Sequence, residues 1–195
     1  MLARRFRINY YISTIMRKVL FSILLCLFAF NAMAQNEHLK FMGIPLDGTI
    51  DAFQKKLEAK GVKYDKIISN SIPIGVRGFK GRFAGEDAKI FVYYDENTKK
   101  VYRAKAVVSF SSREMCRQKY AMFKQQLEYK YPQASIEEDK YEYEDSATLN
   151  LMFLGYINLF QSSDMFSYLY SYFLHIDYND LINGYEHEHK QLDDL

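Results

Sequence analysis

The sequence predicts an α+β fold, and three observations carry that reading. Two segments repeat their apolar residues with helical spacing, and each is bounded by capping chemistry. From Ile74 the period changes to two and stays there across three short segments separated by turn residues. The two helices also share a local pattern, and each is followed by three strand-like segments. Phe53-Gln54-Lys55-Lys56-Leu57-Glu58-Ala59-Lys60 aligns with Phe123-Lys124-Gln125-Gln126-Leu127-Glu128-Tyr129-Lys130 in Phe, Leu, Glu and Lys. Together these predict a duplicated α-βββ unit. Its strands form one antiparallel sheet of six or seven strands with two helices on one face.

The elements follow in chain order. Leu39 to Ile44 is short and partly alternating, and reads as a first strand closed by Pro45. Thr49 is placed as N-cap of a helix over 49–60, with Asp51 in the first turn and Ile50, Phe53 and Leu57 as its apolar stripe. Lys60-Gly61 supplies its exit. Phe79 to Phe83, Ile90 to Tyr94 and Tyr102 to Phe110 then alternate, joined by Ala84-Gly85-Glu86-Asp87 and Asp95-Glu96-Asn97-Thr98. Three strands on short turns read as an antiparallel meander with one face on a core. Ser111 with Glu114 three residues on reads as a capping box. The stripe Cys116, Tyr120, Phe123, Leu127, Tyr131 follows, ending at Pro132. Ile136–Tyr143, Thr148–Phe160 and Ser167–Tyr178 supply three more extended segments, with Gly155 as a bulge or crossing point. The domain is thus expected over 35–178, with repeat units at about 46–110 and 111–178. Residues 179–195 read as a polar, partly disordered tail holding at most a turn or two of helix.

The start of the chain carries an address. Arg17-Lys18 precedes an apolar run from Val19 to Phe30, and Ala32-Met33-Ala34 follows. Basic, apolar and small-residue parts in that order are a secretory signal peptide. The run falls short of the ~20 residues a membrane helix needs. No transmembrane helix is therefore expected in the mature chain. Residues 1–34 read as leader and cleaved signal, with Met16 the natural start and cleavage near Ala34. Residues 1–15 are then an over-extended start or a long basic n-region. Cys26 lies inside the apolar run behind Leu25, so it reads as an apolar signal residue rather than a lipid anchor. The expected location is the periplasm or outside the cell. Cleavage leaves 161 residues with Cys116 as the one cysteine, so the fold rests on its core rather than on a disulfide.

The quoted segments also carry a resemblance. The signal ending in Ala34-Gln35, the stretch Phe41-Met42-Gly43-Ile44-Pro45-Leu46-Asp47-Gly48, and the strands Phe79-Lys80-Gly81-Arg82-Phe83-Ala84-Gly85 and Val92-Tyr93-Tyr94-Asp95 resemble uncharacterised exported proteins of gut Gram-negative bacteria. In architecture alone the chain is similar to the β-lactamase inhibitor protein and to small outer-membrane assembly lipoproteins. That likeness implies helices on one face of an antiparallel sheet used for protein binding, and it brings no catalytic residues.

Charge is segregated. Residues 35–134 hold 19 basic and 11 acidic side chains, whereas 135–195 hold 2 and 13. The two halves lying side by side and neutralising each other is the simpler account, and contact with an anionic partner is the other. If Phe79, Phe83, Tyr102, Ala104 and Ala106 face the helices, then Lys80, Arg82, Arg103 and Lys105 face outward. Lys89 and Tyr93 join them from the middle strand. This basic-aromatic face is the candidate binding site, suited to an acidic envelope protein, an anionic glycan or a lipid headgroup. Export argues against nucleic acid. The alternative is that these cations meet the acidic 137–145 segment or water, since exposed pairs are individually worth only ~0–1 kcal/mol.

No catalytic constellation is present: there is no phosphate-binding glycine loop and no Gly-x-Ser-x-Gly elbow. Cys116 on a helix stripe reads as a buried small hydrophobe, and His175 as a half-buried, satisfied histidine. In Glu186-His187-Glu188-His189 two histidines two apart diverge on a helix and lack a third ligand, so no metal or cofactor is expected. The reading is a non-enzymatic binding module. The alternative is a periplasmic hydrolase whose site the sequence does not display.

Overall fold

The computed structural model describes residues 37–140, 144–166 and 169–193. Residues 1–36, 141–143, 167–168 and 194–195 lie outside the described residues, and with them the leader, the signal and its cleavage site, the end of the 136–143 segment and the start of the 167–178 segment.

The first pair of strands, β1 (Lys40–Phe41) and β2 (Ile44–Pro45), is a hairpin outside the main sheet. Its turn residues Met42 and Gly43 both have positive φ, the backbone a tight hairpin turn requires. Helix α1 (Ile50–Glu58) follows, with Thr49 as N-cap accepting from the Ala52 amide. Next come β3 (Lys63–Tyr64), a short helix α2 (Lys66–Asn70), and the meander β4 (Val76–Phe83), β5 (Glu86–Tyr94) and β6 (Val101–Phe110). The β4–β5 turn is two residues, Ala84 and Gly85, both at positive φ. Helix α3 spans Arg113–Lys130. Its cap is Ser112, whose hydroxyl accepts from the Met115 amide, rather than the expected Ser111. Glu114 is accordingly free to bond Gln118 one turn on. Then come β7 (Ser135–Lys140), β8 (Asp145–Asn150), β9 (Gly155–Phe166), β10 (Leu169–Asp180) and α4 (Leu181–Asp193).

The fold is α+β, with an eight-stranded antiparallel sheet in the order β3-β4-β5-β6-β10-β9-β8-β7. Two local events raise the expected count. The apolar segment 148–160, read as one strand, is broken by a turn at 151–154 into β8 and β9. The short β3, hidden between Gly61 and the α2 cap, adds an edge. Helices α1 and α3, the two repeat helices, are each thereby followed by four strands. Residues 179–195 also differ from the expected tail, since 179–180 end β10 and 181–193 are helix α4.

Register fixes the two faces. Phe79, Ile90, Ala106, Ile176, Leu159 and Ala147 lie opposite one another across six consecutive strands. All six are buried, in one cluster with Ile50, Phe53 and Leu57 of α1 and Cys116, Tyr120, Phe123 and Leu127 of α3. Arg77, on the same face as Phe79, reaches Asp51 and Gln54 of α1 at 2.8 and 2.7 Å. Phe83, also on that face, stacks on Phe123 of α3 and on Phe41 of β1. Each fully buried aliphatic or aromatic side chain here stabilises by ~1.5–3 kcal/mol relative to exposure.

The opposite face carries the alternate residues and is covered at two places. At β4, Ile68 of α2 lies so close to Gly78 that any Cβ there would collide with it. At the other end α4 packs beside β6, β9 and β10. Gly155, at φ 130°, starts β9 where an added Cβ would drive into the Asn179 carbonyl. Its role is close approach at a strand start rather than a bulge.

Candidate functional site

On the face away from α1 and α3, antiparallel pairing sets Lys63 opposite Lys80 and Lys80 opposite Lys89. Directly opposed residues share a face, so three lysines stand in one row across β3, β4 and β5. Like charges so placed repel. Asp65 relieves the row, its Oδ2 2.7 Å from Lys80 Nζ, and Asp87, opposite Arg82, lines the same groove two residues from Lys89. Lys80, then the Ile68 amide, hold the Asp65 carboxyl below the ordinary carboxylate range. Asp65 is also the N-cap of α2, accepting from Ile68 at 2.9 Å, so the helix start and the lysine pair fix one another. Among the described residues Lys63 and Lys89 have no acidic partner. The row continues through Val107, and together with Arg82 and Phe173 it lines a shallow groove of about 460 Å³. Arg82 is exposed and donates to the Gly85 carbonyl of its own hairpin turn.

The remaining predicted residues lie on the same face but in a different environment. Arg103 Nε donates to Asp177 Oδ1 at 2.8 Å, and a second guanidinium nitrogen donates to Oδ2. Asp177 is buried, and its bond raises the proton affinity of Arg103 further. The guanidinium lies 4.4 Å from the centre of the Tyr93 ring. Burial raises the Tyr93 phenol above its ordinary value. Lys105 lies 5.0 Å over the Phe160 ring, and burial, only partly offset by Asp177, lowers its proton affinity. The six predicted residues therefore divide. Lys80, Arg82 and Lys89 line the groove, while Tyr93, Arg103 and Lys105 form an internally satisfied cluster. The acid that neutralises Arg103 is Asp177 of β10. The acidic strand β7 is exposed throughout and sends Glu138 to Lys124 of α3.

His175 brings one possible nucleophile into reach. Its Nε2 is 2.7 Å from Ser162 Oγ on the neighbouring strand, and its ring stacks on Phe160 at 4.4 Å. Burial first, and Lys105 second, push its pKa down to about 4, so the ring is neutral at pH 7. Its Nδ1 is buried without a hydrogen-bond partner. Among the described residues no carboxylate orients the ring, as a Ser-His-acid arrangement requires. Cys116 is buried, its thiol pushed up by burial, and it faces the Gln161 amide at 3.8 Å. His187 of α4 stacks on Tyr102 at 4.3 Å and approaches Asp95 at 3.1 Å. Among the described residues no three His, Cys, Asp or Glu side chains group to hold a metal ion. Among the same residues no helix is long and apolar enough to cross a membrane.

Sequence reasoning missed Lys63, which lines the groove, and Asp65, which pairs with Lys80. Lys63 sits in a two-residue strand and Asp65 caps a five-residue helix, both too short for either period to register. No family model, curated protein or solved structure matches the chain.

Proposed function

We infer that this chain is an exported, non-enzymatic binding module that holds an anionic partner in the lysine groove of β3, β4 and β5. The carrying observation is the row Lys63, Lys80, Lys89, three like charges opposed across adjacent strands, with Asp65 paired to Lys80 and Asp87 opposite Arg82 in the same groove. A fold that keeps such a row bears its repulsion, and an arriving anion relieves it. Phe173 and Val107 beside the row supply apolar surface for the body of the partner. Export rests on the basic, apolar and small-residue order of residues 17–34. The matching partners are an anionic glycan, a lipid headgroup or an acidic surface of an envelope protein.

The binding test is retention on dextran sulfate beads and on vesicles containing phosphatidylglycerol, at low and high salt. Wild type should be retained at low salt and released at high salt, because exposed charges are screened over ~8–10 Å in 0.1–0.15 M salt. Lys63→Ser combined with Lys89→Ser should weaken retention with an unchanged melting temperature. Equal retention of the double variant on both supports would overturn the groove as the site. Export is tested separately by fusing residues 16–34 to a reporter: the reporter should reach the periplasm, and the mature chain should begin at Gln35.

A second reading, a hydrolase, is favoured by the Ser162–His175 contact alone. Ester hydrolysis that disappears in Ser162→Ala would establish it.

A further inference from the structure

A second cavity, of about 550 Å³, opens on the face that carries α1 and α3. Its floor is Phe83, Ile176 and Tyr178 of the sheet, and Phe123 and Leu127 of α3 form a wall. All five belong to the hydrophobic core and are at most 6 % exposed, so the cavity is an open hollow over the core's edge rather than over a polar seam. Its size falls within the ~300–1,000 Å³ range of small-molecule sites, which pair apolar walls with a few placed polar groups. Here those groups are two cations at the rim, Lys60 just beyond α1 and Lys130 at the end of α3. Both are exposed, and neither has an acidic partner among the described residues. Lys130 rests on the Tyr131 ring at 4.8 Å, which holds its ammonium near the rim. The β1–β2 turn contributes Met42 and Gly43 to the same rim, with Lys60 Nζ close by Gly43.

Apolar walls below and two unpaired cations above define an amphiphile with a negative head. We propose that this cavity binds a medium-chain aliphatic carboxylate, its chain against Phe83, Phe123 and Leu127 and its carboxylate between Lys60 and Lys130. The aliphatic part gains from each CH₂ removed from water, and the head gains charge-assisted hydrogen bonds from the two ammonium groups. This site is independent of the lysine groove, which lies on the other face of the sheet.

The test is calorimetric titration of the signal-free chain with decanoate, kept below its micelle-forming concentration, and with octyl glucoside as a neutral-headed control. Decanoate should bind saturably at one site. Lys60→Ala combined with Lys130→Ala should weaken decanoate roughly tenfold, the loss expected for charge-assisted hydrogen bonds, and leave octyl glucoside unchanged. Gln126→Trp, at an exposed rim position, locates the site: the chain has no other Trp, so its emission should shift to the blue on adding decanoate. No saturable binding, equal affinity in the double-lysine variant, or an unmoved Trp emission despite binding would each overturn the proposal. A dimer that the two alanines dissociate would overturn it too, by showing that a second copy occupies the rim. Thermal melts of the exposed-site variants separate these outcomes from unfolding, and the lysine-groove variant should bind decanoate like wild type.

Discussion

Asp177 is a buried carboxylate held by one guanidinium, so Arg103 is structural before it is anything else. Removing one partner of a fully buried pair costs ~3–5 kcal/mol, because the other charge is left stranded. Arg103 is one-third exposed, so Arg103→Ser should cost about 2–3 kcal/mol. That is a fall of roughly 4–12 °C in melting temperature for a chain of this size. Arg82→Ser, at an exposed position, should stay within ~0.5 kcal/mol. Equal melts for the two variants would show that the Arg103–Asp177 pair contributes nothing to folding. His175 supplies a pH dependence. Its pKa is about 4 in the folded chain against an ordinary 6.5, so the unfolded chain binds the proton more readily. The contribution is then complete above pH 6.5 and is lost as the pH falls toward 4. Discounted for partial solvent contact, it amounts to roughly 1–2 kcal/mol. His175→Phe keeps a ring against Phe160 and removes the titration. The stability difference between pH 7 and pH 4.5 should therefore be smaller in the variant, measured by denaturant melts at both pH values. The charge of each residue was legible in the sequence, but its partner was not. Arg103 and Asp177 are 74 positions apart and meet only through the β6–β10 pairing.

Helix α4 shows how a polar segment becomes an element without an apolar stripe of its own. Asp180 accepts from the Leu39 amide at 2.8 Å and from the Asn183 amide at 3.0 Å, tying the first described residues to the start of α4. His38 approaches the same carboxylate at 3.0 Å. Asn183 then donates through Nδ2 to the carbonyls of Leu46 and Val101, at 2.8 and 2.9 Å. Asn183→Ala would leave both carbonyls buried and unsatisfied, at a cost of about 2–3 kcal/mol. The variant should melt lower, and limited proteolysis should cut it first within 181–193. Cleavage elsewhere, with an unchanged melt, would show that α4 is held by other contacts. These bonds are why sequence periodicity failed at 179–195: the segment is fixed by side chains reaching distant carbonyls, which leave no local pattern. Where a stripe or an alternation faced the core, the reading was sound. Thr49 caps α1, Ile50, Phe53 and Leu57 are buried, and β4, β5 and β6 form a meander on two-residue and longer turns. The 148–160 segment misled because both sides of its break are apolar. Leu149 and Leu151 are buried, as are Ile157 and Leu159, while Met152 and Phe153 at the turn are exposed. An apolar turn carries the same hydropathy as a strand, so only its backbone, with Met152 at positive φ, distinguishes it.

Across the whole molecule the charge segregation of the sequence becomes the two sides of one sheet. The strand order sets β3 to β6, from the basic half, against β10 to β7, from the acidic half. Lys100–Glu186, Arg103–Asp177 and Lys124–Glu138 cross between the halves, so part of the asymmetry is neutralised internally. Lys63 and Lys89 stand at the far side from the acidic strand β7, where those crossing pairs do not reach. The halves meet through eight paired positions of β6 and β10, from Tyr172 opposite Phe110 to Asn179 opposite Arg103. Helix α3 packs on β6 as well as on β9 and β10, so it closes the seam from above. A separated half would expose one flank of Ala104, Ala106 and Val108, or of Leu174, Ile176 and Tyr178, and would leave a long strand edge open. At this size a lone core is marginal, burying only ~60% of its unfolded surface. Fragments 35–110 and 111–195, expressed apart, should each lack a cooperative melt and the near-ultraviolet dichroism of packed tyrosines. Mixed in equal amounts at low salt, they should recover both. Recovery should be slower at high salt, because oppositely charged fragments attract over distances that salt screens. A cooperative melt from either fragment alone would show that a single helix-and-four-strand unit folds by itself. The seam would then be an interface between two finished units rather than the middle of one core.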